Sequence, residues 1–184
     1  MFLNDCQIKT LCQKSPPLID NFCPDKAGNP SYGVSSFGYD ARLSDEIIFF
    51  NEFDREQHRP LRVGQPVPAE AYRRVIVKEP TVLLNPGDFI LACTMEYFHL
   101  PKGITGLAKD KSTLARMGIA VQNTVLEAGW EGQLTLEITN GGRWPVELPI
   151  GQGITQILFA LGDEPLNSYI GGKYQYQRGP VLPR

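Results

Sequence analysis

The chain has 184 residues, 42% of them hydrophobic, with a formal net charge of -2 and a pI of about 5.7. That length suits one domain with a core of its own, and the weakly acidic balance excludes a general polybasic surface for a nucleic-acid polymer or a membrane. No apolar run reaches spanning length, and residues 1–5 (Met-Phe-Leu-Asn-Asp) lack the basic and apolar start of a secretory leader, so a cytoplasmic location is expected.

In chain order, residues 5–12 read as a short helix capped by Asn4 or Asp5, with Ile8, Leu11 and Cys12 on one face. Long helical periodicity then stops. Fifteen prolines and 18 glycines punctuate short β-prone runs at 38–43, 46–50, 74–77, 81–84, 89–95, 104–108, 119–124, 133–139, 146–148 and 154–160. Turns are expected at 85–88, 140–142 and 149–151, and the polar, proline-containing stretch 51–72 reads as an ordered excursion rather than a linker. The chain shows no internal repeat. The reading is an all-β domain over 1–184, a distorted Greek-key or jelly-roll-like barrel with short helices.

Two segments carry chemistry. Residues 111–116, Lys-Ser-Thr-Leu-Ala-Arg, gather two cations and two hydroxyls in six residues, a composition suited to phosphate oxygens and developing negative charge. Residues 135–137, Thr-Leu-Glu, set one carboxylate in an apolar strand, where charge is costly unless used. Alternation puts Thr135, Glu137 and Thr139 on one face and Leu134, Leu136 and Ile138 on the other. The four cysteines (Cys6, Cys12, Cys23, Cys93) form no C-x-x-C pair, and His58 and His99 precede Arg59-Pro60 and Leu100-Pro101. Zinc nucleobase deaminases need a His or Cys beside a glutamate and a downstream P-C-x-x-C, so no zinc is expected and the cysteines read as reduced thiols.

Residues 106–118 and 127–140, with the Gly129-Trp130-Glu131-Gly132 turn between the two motifs, closely resemble the dCTP deaminases of the trimeric dUTPase superfamily. The resemblance implies a dUTPase-like fold and hydrolytic deamination of dCTP to dUTP, supplying uridine nucleotides for thymidylate synthesis. It makes Glu137 the general acid/base, which takes a proton from water attacking C4 of cytosine and helps ammonia depart. Arg116 becomes the cation that orients Glu137 or stabilises charge, and Ser112 holds a water or the amino group. Lys111 and Thr113 would contact phosphates; Leu114, Ala115, Thr135 and Leu136 complete the substrate-binding segments. A further match, from Tyr169 through 172–179, implies that 165–184 is a lid over the nucleotide, with Tyr169, Lys173 and Gln177 on the phosphates. Gln156 is in register with a nucleotide-binding glutamine of one branch, with a buried glutamine bonding the backbone as the equal alternative. Mg²⁺ carried by the triphosphate and a homotrimer with shared sites are also implied.

Asp40 and Arg42, in the Gly38-Tyr39-Asp40-Ala41-Arg42 strand that the family shares, are ranked structural. Asp110 stands where the family usually has glycine, and its charge beside Lys111 is expected to bias the preferred phosphorylation level. Asn123 fits bifunctional enzymes that also release pyrophosphate to give dUMP, whereas Val125-Leu126 does not. A plain dUTPase and a non-catalytic nucleotide-binding β-barrel are the remaining readings.

Overall fold

The computed structural model describes residues 1–56 and 58–184. It opens on α1 (Asp5–Cys12), where the sequence places a helix. The Asn4 side chain accepts from the Gln7 N–H at 3.0 Å while Gln7 Oε1 accepts from the Asn4 N–H at 3.0 Å, a reciprocal capping box, and Ile8 is the buried anchor. Thirteen strands follow among the described residues: β1 (Ile19–Asp20), β2 (Gly33–Val34), β3 (Tyr39–Arg42), β4 (Glu46–Phe50), β5 (Tyr72–Ile76), β6 (Thr81–Leu84), β7 (Phe89–His99), β8 (Ile104–Asp110), β9 (Ile119–Val121), β10 (Val125–Leu126), β11 (Glu131–Asn140), β12 (Val146–Pro149) and β13 (Gly153–Leu161). One helical turn, α2 (Ser112–Ala115), lies between β8 and β9.

One sheet runs β5-β4-β7-β11-β9 with β1 added on β7; a second runs β10-β8-β13-β3-β2; β12 and β6 pair by themselves. The all-β class with short helices is as expected. The sheets remain open rather than closing into a barrel, with edges at β5, β9, β10 and β2. Between them lies the core, where Phe98 of β7 meets Phe159 of β13 with ring centroids 6.4 Å apart. Glu96 of β7 is fully buried yet satisfied: it accepts from Arg42 Nε at 2.7 Å, from the Arg42 backbone N–H at 2.9 Å and from the Tyr39 hydroxyl at 3.1 Å. Arg42 is therefore a structural ion-pair residue, as ranked from sequence.

β7 reaches His99, beyond the expected end at 95, because neighbours far along the chain pair with its last residues: Ile19 and Gly132 both oppose Phe98. The two-residue strands β1, β2 and β10 are too short to show an alternation of their own. The excursion after β4 is the loop of a hairpin, since β4 pairs directly with β5. Its ends are tied where the Asn51 N–H donates to Ala71 O at 2.9 Å and Asn51 Nδ2 to Glu70 O at 2.8 Å.

Candidate active site

β11 supplies the chemically distinctive carboxyl. Its even-numbered residues from Gly132 to Asn140 are buried and its odd-numbered ones only partly so, which puts Glu137 with Thr135 on the expected face. That face fronts a cavity of about 730 Å³, a volume suited to a small-molecule site. Glu137 and Thr135 form one wall with Leu91 of β7; Asn123 to Glu127 and Trp130 form another; Tyr169, Tyr174, Gln177 and Val181 close it from the C-terminal segment. Burial pushes the Glu137 carboxyl above the ordinary carboxylate range, partly offset by a hydrogen bond to its own backbone.

The C-terminal segment is docked rather than frayed. The Tyr169 N–H donates to Ala128 O at 3.0 Å, and the Tyr176 N–H to Glu131 O at 2.8 Å. Gln177 is buried and doubly tied to β11: its carbonyl accepts from the Gln133 N–H at 3.0 Å and its Nε2 donates to Gln133 O at 2.8 Å. Further on, the Val181 N–H donates to Thr135 Oγ1 at 3.2 Å. Trp130 Nε1 donates to Tyr174 O at 2.9 Å, which gives the Gly-Trp turn a structural reason: its indole holds the returning tail. Gly132 sits at φ 158°, and a Cβ there would come 2.7 Å from the Trp130 ring and 3.1 Å from Gln177 Cγ, so only glycine admits the tail so closely.

The second motif stands apart from this cavity. The Lys111 carbonyl accepts from the Leu114 and Ala115 N–H groups, both at 3.0 Å, which forms α2, and Leu114 anchors the turn in the core. Ser112, Thr113, Ala115 and Arg116 are exposed. Arg116 makes no side-chain hydrogen bond or ion pair among the described residues, and neither it nor Ser112 lines the cavity that holds Glu137. Lys111 has an internal partner: its Nζ lies 2.7 Å from Asp40 Oδ2, with both side chains at most 10% exposed. Asp110 accepts from the Val121 N–H at 2.7 Å, so its carboxylate clamps the two ends of the 110–121 segment.

Of the site residues read from sequence, Thr135, Glu137, Tyr169 and Gln177 therefore meet in one place, and Asn123 and Trp130 join them on the cavity wall. Leu114 and Leu136 are buried in the core, which leaves only their backbone to a ligand. Lys173 is exposed and donates to Arg184 O at 2.9 Å. Gln156 lies opposite Asp40 in the sheet and donates from Nε2 to Ser35 Oγ at 3.3 Å, away from the cavity. Leu91, Glu127, Val181 and Pro183 were not singled out; their place on the wall follows from strand pairing and tail docking, which leave no local signal. Sequence reasoning also missed the position of His99, whose Nδ1 faces Glu131 Oε2 and whose Nε2 faces Asp20 Oδ2, both at 3.0 Å, bracing β1, β7 and β11 where the tail docks.

Fold and site together define an all-β protein with a half-buried carboxyl in a ligand-sized cavity under a C-terminal strap. The dCTP deaminase-like family model matches residues 2–162. This chain belongs to that family. It is 38% identical over 185 residues to a dCTP deaminase of a Nitratiruptor species, covering 98% of this chain and 96% of that one. A dCTP deaminase of Granulibacter bethesdensis is 43% identical over 157 residues, covering 84% and 82%. Among solved structures, the 2'-deoxycytidine 5'-triphosphate deaminase from Agrobacterium tumefaciens shares the fold, with a TM-score of 0.65 at 21% identity over 90% of this chain. This chain spans 50% of that longer one.

Proposed function

We propose that this protein hydrolyses the 4-amino group of dCTP, giving dUTP and ammonia, with Glu137 as the proton-transferring group. The observation that carries this reading is the Glu137 carboxyl, raised by burial, on the wall of a cavity sized for a small molecule. Water adds through oxygen to C4 of the cytosine ring; Glu137 takes its proton and delivers it to N3. A second transfer through Glu137 moves the remaining hydroxyl proton to the amino nitrogen, the C4–N bond breaks, and the C4 carbonyl of uracil and ammonia result. Ser112 holds the attacking water or the amino group, and Arg116 orients the carboxylate and offsets its charge.

Arg116 and Ser112 do not face Glu137 within one chain, so the reading includes a homotrimer in which one subunit's 111–116 turn reaches another's cavity. Residues 1–184 act as a single domain, with 165–184 as the nucleotide-covering lid; Tyr169, Lys173, Gln177 and Thr113 take phosphates, with Thr135 and the backbone of 135–137 against the nucleoside. Mg²⁺ is assigned to the triphosphate, and no zinc is assigned to the protein because the chain lacks the His/Cys-x-Glu and Pro-Cys-x-x-Cys ligand pattern. Among the described residues no helix is long and apolar enough to cross a membrane.

The test is product analysis with dCTP and Mg²⁺, resolving dUTP, dUMP, ammonia and pyrophosphate. Ammonia with dUTP is expected, undiminished by a zinc chelator; no ammonia would overturn the proposal. Asn123 on the cavity wall supports a second reading, onward hydrolysis, which would appear as dUMP with stoichiometric pyrophosphate.

A further inference from the structure

The C-terminal strap has two faces. Tyr169, Tyr174 and Gln177 line the cavity that holds Glu137, while Ile170, Gln175 and Tyr176 line a second cavity of about 660 Å³ with His99 and Glu131. Glu131 anchors the strap through its backbone. Its carbonyl accepts from the Tyr176 N–H at 2.8 Å, its N–H donates to Gln175 Oε1 at 3.2 Å, and Gln175 Nε2 donates to Gly129 O at 2.9 Å. The Glu131 side chain is held in turn. It lies opposite His99 in the β7–β11 ladder, with Oε2 3.0 Å from His99 Nδ1, and Asp20 Oδ2 of β1 is 3.0 Å from His99 Nε2.

An ionised carboxylate offers acceptors only, so the ring can bond to Asp20 and Glu131 together only when both of its nitrogens carry protons. A neutral ring must turn a bare lone pair toward one of the two anions. The other groups around it are Tyr97 of β7, whose ring centroid is 4.9 Å away, Arg178 of the strap, 4.6 Å from the Tyr97 centroid, and Lys14 and Lys102, which line the second cavity. Only the two carboxylates reach the ring nitrogens.

We propose that His99 is a positioning residue: bridging Asp20 to Glu131 as an imidazolium, it latches the strap over the nucleotide cavity, and the latch loosens as pH rises. His99 touches no substrate atom; it acts through Glu131 on the strap, and the strap acts on the nucleotide. The inference rests on the proposed function only for the strap's role as a nucleotide cover.

The experiment reads the strap directly. Of the two tryptophans, Trp130 is buried and bonded to Tyr174 of the strap, so in a Trp144→Phe background its fluorescence reports docking in the nucleotide-free protein. Spectra and the KM for dCTP are compared from about pH 6 to about pH 9, the range that spans imidazole titration. In the chain with His99 and Glu131 intact, Trp130 emission should move to the red as pH rises. Glu131→Gln is the decisive variant. Its amide accepts from an imidazolium and donates to a neutral ring, so both links persist across the range and the shift should vanish. The ratio of its KM for dCTP to that of the intact latch should fall by about threefold or more from the acid to the alkaline end. Titration of the nucleotide and of Glu137 is common to both chains and cancels. His99→Phe should be red-shifted at every pH, with KM raised about fivefold and kcat held within about twofold, the pattern of weakened binding rather than lost chemistry.

If His99→Phe fails to fold, Glu131→Gln still decides the matter. An identical pH shift of Trp130 in Glu131→Gln and the intact latch would overturn the inference, as would no shift in either. A shift with no change in the KM ratio would reduce His99 to a brace and also overturn it. Failure of the proposed function reads differently: no ammonia would appear at any pH, the Trp130 shift would stand, and equilibrium binding of dCTP would replace KM as the second readout.

Discussion

β11 and the 111–116 turn carry the two halves of the proposed chemistry, and they are held in opposite ways. Glu137 sits mid-strand in β11, between β7 and β9, with its charge half-withdrawn from water and the tail docked beside it. Arg116 ends a single exposed helical turn with no side-chain partner among the described residues, and that turn is secured by residues beside it rather than by Arg116 itself. A carboxyl whose proton affinity must be tuned needs burial, and burial needs a sheet. A guanidinium stays charged anywhere, so it can wait at the surface for a partner. Within one chain the two do not meet, which is the strongest reason to seek the complete site between subunits.

Glu137→Gln should sharpen the contrast most. It removes the acid/base while keeping the shape of the side chain, so ammonia release from dCTP should fall by about a hundredfold or more with nucleotide binding retained. Steady-state assays beside equilibrium binding of dCTP check this, and full activity would remove Glu137 from the mechanism.

Arg116→Ala tests the other half. Turnover should fall by about a hundredfold, while Tm should stay within about a degree because the change opens no cavity and strands no buried group. Mixing this variant with Glu137→Gln should restore part of the activity if the two residues come from different subunits. No recovery on mixing, with light scattering that shows an active monomer, would break the comparison by placing the whole site in one chain.

Asp110 borders the turn and gives a smaller effect of another kind. Because its carboxylate accepts from the Val121 N–H, Asp110→Ala should cost about 1–2 kcal/mol, a Tm drop of a few degrees for a chain of this size. The preference among dCTP, dCDP and dCMP should be unaltered, in place of the shift expected from charge alone. A changed ratio of kcat/KM values at unchanged Tm would return Asp110 to the phosphate site.

The smallest expected effect is on stability against pH. Burial raises the folded Glu137 pKa above its unfolded value, so the folded state holds the proton more tightly. The ionised carboxylate therefore becomes increasingly destabilising as pH climbs from the unfolded pKa through the folded one, and the cost is complete above that. Glu137→Gln should melt slightly higher than wild type at neutral pH and match it at acid pH. A variant that melts lower at neutral pH would show that the carboxylate is stabilised in a way that burial does not explain.

What could be read beforehand follows from how local each signal is. α1 appears with its expected bounds because the capping group and the apolar face lie within one short segment. β4 and β6 likewise coincide with the runs at 46–50 and 81–84. Glu137 could be placed on a half-covered face because period-two alternation is written into its immediate neighbours. The tail was legible only through resemblance, since nothing in its polar composition requires it to dock. His99 gave no warning of its two carboxylate neighbours, which lie 32 and 79 residues away.

By itself, then, the sequence determined the all-β class, the short helix at the front, the face that carries Glu137 and the two motifs of the site, each encoded in spacing a few residues long. Tertiary structure alone decided that the sheets stay open, that Lys111 turns inward to Asp40, that Asp110 clamps Val121, and that Arg116 and Glu137 stay apart in one chain. Those outcomes depend on which distant backbone comes alongside and on which charge is left in need of a partner when it is buried. Neither condition exists until the strands have paired.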